Sequence, residues 1–265
     1  MSTPTGHSIR KDDVVLLTEG LTKTFSGITA LRDHSIVIRE GEIVGVIGPN
    51  GSGKSTFFNQ VSGFSMPDHG RIEIFGQSVI GRKPAEIAHL GVARTFQGSR
   101  LFRSMTVLEN VLVAGQMRRP VRALDALIRL PSYWSNASAD TLAAMELLKL
   151  VALENRANSL AVDLPYGDQR RLEIARALAT KPRILMLDEP AAGLNSSETK
   201  SLLELLLEIR NRFGIAVVIV EHDMDLIMNL CERIQVLATG QVIFEGTAAE
   251  VQANHRVREA YLGHS

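Results

Sequence analysis

The nine residues GPNGSGKST, from Gly48 to Thr56, have the types and spacing of a phosphate cradle. They fit G-x-x-x-x-G-K-[ST] in full, directly after the apolar run EIVGVIG and ahead of a helix expected to begin near Lys54. Gly48, Pro49, Asn50, Gly51, Ser52 and Gly53 form the loop itself, whose glycines let backbone N–H groups wrap a β-phosphate. Lys54 supplies a point charge for the β- and γ-phosphates, and Ser55, followed by Thr56, offers a hydroxyl to Mg2+. A second group of residues fits the same chemistry. In RILMLDEP, four apolar residues, Ile184 to Leu187, run into two carboxylates. Asp188 is placed to hold Mg2+ through water, and Glu189 to orient and polarise an attacking water. Phosphoryl transfer asks for little more than charge neutralisation and alignment of the nucleophile.

Two further side chains join this set by position. VIVEHDMD ends an apolar strand at Glu221-His222, and if that strand lies beside the one ending in Asp188, His222 reaches the γ-phosphate end. Gln97, in RTFQ, is expected at the end of another strand, where a neutral amide can touch Mg2+ and the attacking water and then withdraw. One more stretch, LPYGDQRRLEIARALAT, is expected to be helical from Asp168 on, because Leu172, Ala175 and Leu178 repeat at near-helical spacing. Its entry carries Pro165, Tyr166 and Gly167, and a bare glycine there implies that something approaches the backbone closely.

The elements that must hold these residues follow from the patterning. DVVLLTEGLTKTF, HSIVIRE and RIEIFG alternate as strands in the first third. The middle, from about residue 84 to 158, turns helical in TVLENVLVAGQMRR, VRALDALIRL and ADTLAAMELLKLV, with PSYWSNAS expected to break it. The last third returns to strands RILMLDE, IAVVIVE and RIQVLAT separated by helices SSETKSLLELLLEIRNRF and MDLIMNLCE, which implies parallel pairing with right-handed crossovers. The helical block therefore reads as an insertion between two halves of one α/β core. Lys plus Arg and Asp plus Glu both number 29, a balance that argues against a broad nucleic-acid-binding face. Cys231 is the single cysteine, so an intrachain disulfide and a thiolate metal cluster are both excluded, and its apolar helix face suggests a packed core thiol. The polar start MSTPTGHSIRKDD lacks the apolar run of a signal peptide, and no stretch reaches the roughly 18 apolar residues of a membrane span. A cytoplasmic protein is expected.

Taken in this order, the motifs resemble the ATP-binding cassette subunits of ABC transporters, over about Val14 to Gly263. The resemblance implies an α/β P-loop NTPase fold with a RecA-like core, an antiparallel β subdomain and a helical subdomain inserted at about 98–165, after an N-terminal tail of residues 1–13. It implies ATP and Mg2+ as cofactors. LPYGDQRR stands where that family has its signature, usually written LSGGQ, so Tyr166, Gly167, Asp168 and Gln169 would face a nucleotide held by a second ATP-binding subunit in a head-to-tail dimer. Two departures are visible. Pro165 replaces the signature serine and removes both its hydroxyl and an N–H, while Asp168 puts a negative charge near an anion. Asn195, in AAGLN, stands where the family commonly has Asp. Phe25, in LTKTFSG, matches the aromatic that stacks on adenine in such cassettes; the alternative is a core phenylalanine at a strand end.

YGDQRRLEIARAL, LMLDEPAAGLN, EHDMDLIM, GVARTFQGSRLFRSMTVLENVLVA and the closing REAYLG are most similar to the cassettes of branched-chain amino-acid uptake systems. Related cassettes for urea uptake and lipopolysaccharide export share the RRLEIARAL helix and the YLG ending. The resemblance implies integral membrane permease subunits, a second ATP-binding subunit that is a paralogue or a second copy, indirectly a solute-binding protein, and no nucleic acid. It places the chain peripherally on the cytoplasmic face of the inner membrane. Phe102, Met105 and Val107 are expected to form the groove for a permease helix, or else to pack the helical insertion. A soluble cassette acting on chromosomes would need a long heptad coiled coil, and a small-molecule kinase would not need YGDQRR or the Glu189 water base.

Overall fold

The computed structural model describes residues 13–98, 100–117 and 131–262, with the side chains of residues 131–137 and 262 excepted. Two sheets form its frame. The smaller is antiparallel, with strands β1 (Val14–Phe25), β2 (Ile28–Arg39), β4 (His69–Ile74) and β5 (Gln77–Ser78) in the order β2-β1-β4-β5. The larger has six strands in the order β10-β9-β3-β8-β7-β6: β3 (Ile43–Ile47), β6 (Val92–Arg94), β7 (Ile184–Asp188), β8 (Ala216–Val220), β9 (Arg233–Ala238) and β10 (Gln241–Gly246). Five of them are parallel, and β10 closes one edge antiparallel to β9.

Every residue of β3, β7 and β8 is buried, because this sheet is covered on both faces. Side chains alternate between the faces. Val44, Val46, Met186, Val218 and Val220 join Leu16, Ile38, Ile72, Phe57 and Phe58 in a core shared with the antiparallel sheet. Ile43, Ile47, Leu185, Leu187, Val217 and Ile219 point the other way, into a core built with the helices. Those helices are α3 (Val107–Gln116), α4 (Pro131–Leu150), α5 (Tyr166–Ala179), α6 (Ser196–Phe213) and α7 (Met224–Leu230). Four further helices are α1 (Lys54–Val61), α2 (Pro84–Leu90), α8 (Ala248–Ala253) and α9 (His255–Leu262). No helix among the described residues is long and apolar enough to cross a membrane.

Several expectations need correcting. PSYWSNAS does not break the helical block; its backbone is the start of α4. Serine and asparagine cost only fractions of a kcal/mol inside a helix, and the restriction imposed by Pro131 falls on the residue before it. VRALDALIRL, together with residues 1–12 and Gly263, lies outside the described residues. The strand before Gln97 ends at Arg94, so Gln97 sits in the loop beyond it rather than at a strand end. α5 starts at Tyr166, two residues before Asp168, because the Pro165 carbonyl already accepts the Gln169 N–H at 3.0 Å. Cys231 is buried as expected, and burial pushes its thiol well above the ordinary range.

Candidate functional site

The phosphate loop leaves β3 between two pieces of backbone that admit no side chain. A Cβ on Gly48, at φ +151, would lie 2.1 Å from the Leu237 carbonyl oxygen of β9, and one on Gly53, at φ +107, would lie 2.6 Å from the Ala30 carbonyl oxygen. Gly51, at φ +78, faces open space. The loop is thus pinned at both ends and open at its middle, a shape that fits a phosphate group approaching backbone N–H groups. Lys54 Nζ donates to the Gly48 and Pro49 carbonyls at 2.6 and 3.0 Å, inside the loop it would share with an anion. Burial holds its ammonium below the usual value, opposed by the nearby Glu189 and Asp188 carboxylates. Ser55 is exposed at the start of α1 and Thr56 half-buried behind it.

β7 lies between β6 and β8, and this order brings three chemistries to one end of the sheet. Asp188, the last residue of β7, is buried, while Glu189 turns out of the strand at φ +48, a left-handed conformation that a side chain adopts only at a cost of about 1–3 kcal/mol. The Glu189 N–H is held by the Val220 carbonyl at 2.8 Å, which fixes the backbone that carries the carboxylate. Gln97 Nε2 donates to Glu189 Oε2 at 2.7 Å, joining the loop after β6 to the loop after β7. His222 does follow the strand beside β7, but its ring is largely exposed and its Nδ1 lies 3.8 Å from Glu221 Oε2.

Three residues that sequence reasoning passed over shape this region. Arg94, the last residue of β6, donates to Asp188 Oδ2 at 2.8 Å, to Asn59 Oδ1 at 2.9 Å and to Ser62 Oγ at 2.8 Å, so it ties β7 to the helix that follows the phosphate loop. Its guanidinium carbon is 4.8 Å from the Phe96 ring centroid. A charge closing a strand of otherwise apolar residues was the available signal. Glu221, wholly buried, accepts the Ala191 N–H at 2.6 Å and the His222 N–H at 3.1 Å. Burial raises its carboxyl pKa, against the pull of these N–H groups. It was visible at the end of the same apolar strand as His222. Arg170 holds the loop around Gln97, and no local pattern separates it from the half-buried Arg171 beside it.

The signature-like turn is built differently from the rest. Gly167 is approached by Glu198 of α6: a Cβ there would meet Glu198 Oε1 at 2.8 Å. The Tyr166 ring lies against Gly193, and Gln169 Nε2 donates to the Leu164 carbonyl at 2.9 Å. Asp168 pairs with Arg156 at 3.7 Å. Asn195 caps α6, its Oδ1 accepting the Ser197 and Glu198 N–H groups at 3.0 Å each. Among the described residues, no hydrogen bond or ion pair joins Tyr166, Gly167, Asp168 or Gln169 to Gly48–Thr56 of the same chain. Phe25, at the end of β1, is 49% exposed with Lys23 Nζ 5.4 Å from its ring centre, so it is not a core residue.

A phosphate loop opening a helix between parallel strands, with paired carboxylates closing the next strand but one, defines a P-loop nucleotide hydrolase. The chain belongs to the ABC transporter family, whose profile matches residues 31–192. The profile of the branched-chain amino acid ATP-binding cassette transporters matches residues 241–265. The high-affinity branched-chain amino acid transport ATP-binding protein LivG of Salmonella typhimurium is 45% identical over 94% of this chain and 98% of its own length. BraF of Pseudomonas aeruginosa, a protein with the same description, is 41% identical over the same shares. Among solved structures, the ADP conformation of MJ1267, an ATP-binding cassette of an ABC transporter, superposes with a TM-score of 0.81 at 32% identity, covering 95% of this chain and 99% of that one. A dimeric post-hydrolysis state of the cassette MJ0796 bound to ADP and Pi gives 0.76 at 29% identity, covering 88% and 98%. This chain is an ATP-hydrolysing cassette, made to work with membrane permease subunits.

Proposed function

We propose that the chain powers uptake of branched-chain amino acids, binding ATP with Mg2+ in the Gly48–Thr56 loop and hydrolysing it between two cassettes. The observation that carries the hydrolytic reading is the meeting of Lys54, Asp188, Glu189 and Gln97 at one end of the parallel sheet. Among the described residues no three His, Cys, Asp or Glu side chains stand together as a cage for a metal ion. That favours an ion held largely by phosphate and water, which is how Mg2+ is usually bound. Ser55 and Asp188 would hold it, with Gln97 near, and it would neutralise charge on the phosphates. Glu189 accepts the proton of the attacking water, Lys54 and the loop N–H groups hold the phosphates, and His222 swings to the γ-phosphate end. Phe25 offers an exposed face for adenine stacking.

The two cassettes clasp each nucleotide, with the Tyr166–Gln169 turn of one closing the loop of the other. The dimeric MJ0796 structure and the exposure of Pro165 and Tyr166 support this reading. The similarity to LivG and BraF supports a branched-chain substrate. The resemblance to such uptake systems implies a paralogous second cassette, a solute-binding protein outside the membrane and attachment at its cytoplasmic face. A permease helix docks in the mostly apolar cavity of about 400 Å³ beside the Gln97 loop, lined by Phe64, Ile87, Phe96, Arg100, Met117 and Arg176. This differs from the groove expected around Phe102, Met105 and Val107, since Val107 is fully buried in the helical core.

Proteoliposomes carrying the chain with its copurifying membrane subunits test the whole reading. ATP-driven uptake of leucine, isoleucine and valine is expected, and uptake of urea alone would refute the substrate. Glu189→Gln should still bind ATP, lose hydrolysis by roughly 10²–10⁴-fold and accumulate as an ATP-bound dimer in solution. Hydrolysis at the wild-type rate would remove Glu189 from the mechanism.

A further inference from the structure

α5 places Tyr166, Arg170 and Glu173 at helical spacing, so the three side chains share one face. Arg170 is 5% exposed, and all three of its guanidinium nitrogens donate. Nε and Nη2 reach Tyr166 Oη at 3.1 and 2.6 Å. Nη2 also reaches the Gln97 carbonyl at 2.6 Å, and Nη1 reaches the Phe96 carbonyl at 3.3 Å and Glu173 Oε2 at 2.9 Å. Glu173 Oε1 accepts the Arg100 N–H at 3.0 Å, and Arg176 Nη1 donates to the Arg100 carbonyl at 2.5 Å. One helix face thus holds the backbone around Gln97 at four atoms. The Gln97 side chain itself leaves this backbone to meet Glu189. On the other side, Tyr166 rests on Gly193, four residues after Glu189; a Cβ on Gly193 would lie 3.0 Å from the tyrosine ring.

We propose that Arg170 is a positioning residue for hydrolysis: by binding the Phe96 and Gln97 carbonyls to the first turn of α5, it sets where the Gln97 amide meets Glu189. A shift of that turn is thereby carried into the hydrolytic pair of its own chain. The turn itself is exposed at Pro165 and Tyr166, the end that the proposed dimer would grip. Binding at one nucleotide site would then adjust the geometry of the other. The inference rests on the reading of Gln97 and Glu189 as the hydrolytic pair. A guanidinium suits the task because its planar fork holds two carbonyls and a phenol oxygen in fixed directions, which an ammonium on a flexible stem does not. Tyr166 has a part as well, since its hydroxyl oxygen accepts from two nitrogens of the fork.

The test measures ATP turnover by the full-length chain for Arg170→Met, Arg170→Lys and Tyr166→Phe, each alone and combined with Gln97→Ala. Arg170→Met should lower kcat about tenfold while KM for ATP changes less than about twofold, as expected for lost alignment. In the Gln97→Ala background the same substitution should have no further effect, because residues acting through one another are not additive. Amide exchange at Gln97 and Arg100 should quicken in Arg170→Met. Tyr166→Phe keeps the ring on Gly193 and should show a smaller loss of the same non-additive kind, which keeps the proposal testable if Arg170→Met fails to fold. Arg170→Lys should not rescue kcat. Additive losses, full rescue by lysine, or an unchanged kcat would overturn the proposal. If Glu189→Gln hydrolyses ATP normally, the hydrolytic reading itself fails; if it is inactive while Arg170 and Gln97 act additively, only the positioning role fails.

Discussion

Arg94→Met should destabilise the protein by about 3–5 kcal/mol, and most of that loss should disappear when Asp188→Asn is made as well. The two side chains are 7% and 10% exposed, and their closest atoms are 2.8 Å apart. At an effective dielectric of 20 their attraction is about 6 kcal/mol. Removing each ion from water costs several kcal/mol, so the pair as a whole contributes little to stability. Breaking it from one side is another matter, because Asp188 would keep its desolvation cost without the guanidinium bonded to it, and such losses run to about 3–5 kcal/mol. The Asn59 and Ser62 acceptors also lose their donor, while the methionine retains packing against Phe58 and Phe96. For a chain of this length that corresponds to a fall in melting temperature of roughly 10 °C. Urea unfolding of the two single variants and the double variant would measure it. A double variant as unstable as the sum of the singles would refute the reasoning, as would an Arg94→Met loss below about 1 kcal/mol.

Three other perturbations reach different parts of the molecule. Gly48→Ala would drive a methyl to 2.1 Å from the Leu237 carbonyl oxygen at φ +151, so ATP affinity should fall about tenfold or more through a displaced loop, and unchanged binding of a fluorescent ATP analogue would contradict this. His34 is fully buried against Phe57, and burial lowers its pKa to about 4, with Glu245 opposing. The neutral ring is the folded form, so this contribution is whole above pH 6.5 and is lost as pH falls from 6.5 toward 4. Between pH 7.5 and 5 it amounts to about 2 kcal/mol. Denaturant titrations should show His34→Leu losing that much less than wild type over the interval; equal losses would sink the argument. Asn195→Ala removes the cap of α6 and should cost about 1 kcal/mol, which Asn195→Asp should spare, as read by thermal unfolding.

The amino-acid order was sufficient for much of this protein. The Gly48–Thr56 loop could be read directly because strand, glycines, lysine and helix are contiguous, although the carbonyls of Leu237 and Ala30 that pin Gly48 and Gly53 come from distant strands. The strands ending at Asp188 and beside His222 were legible for a similar reason: five consecutive buried residues require a sheet covered on both faces. Legibility failed where partners come from far along the chain. Arg94 meets an aspartate 94 residues away, and the charge at the end of its apolar strand does not say which; Arg170 meets carbonyls 73 and 74 residues back, and nothing in its neighbourhood announces them. PSYWSNAS failed for the opposite reason, since weak local preferences yielded to a 20-residue helix. At Gly167 the sequence rightly asked for a close approach, but only packing showed that the neighbour within this chain is the Glu198 carboxylate. Short-range order sets conformation because backbone sterics act over a few residues. Which charged groups share a buried place depends on strand order, and strand order is settled only when the two faces of the sheet are covered together.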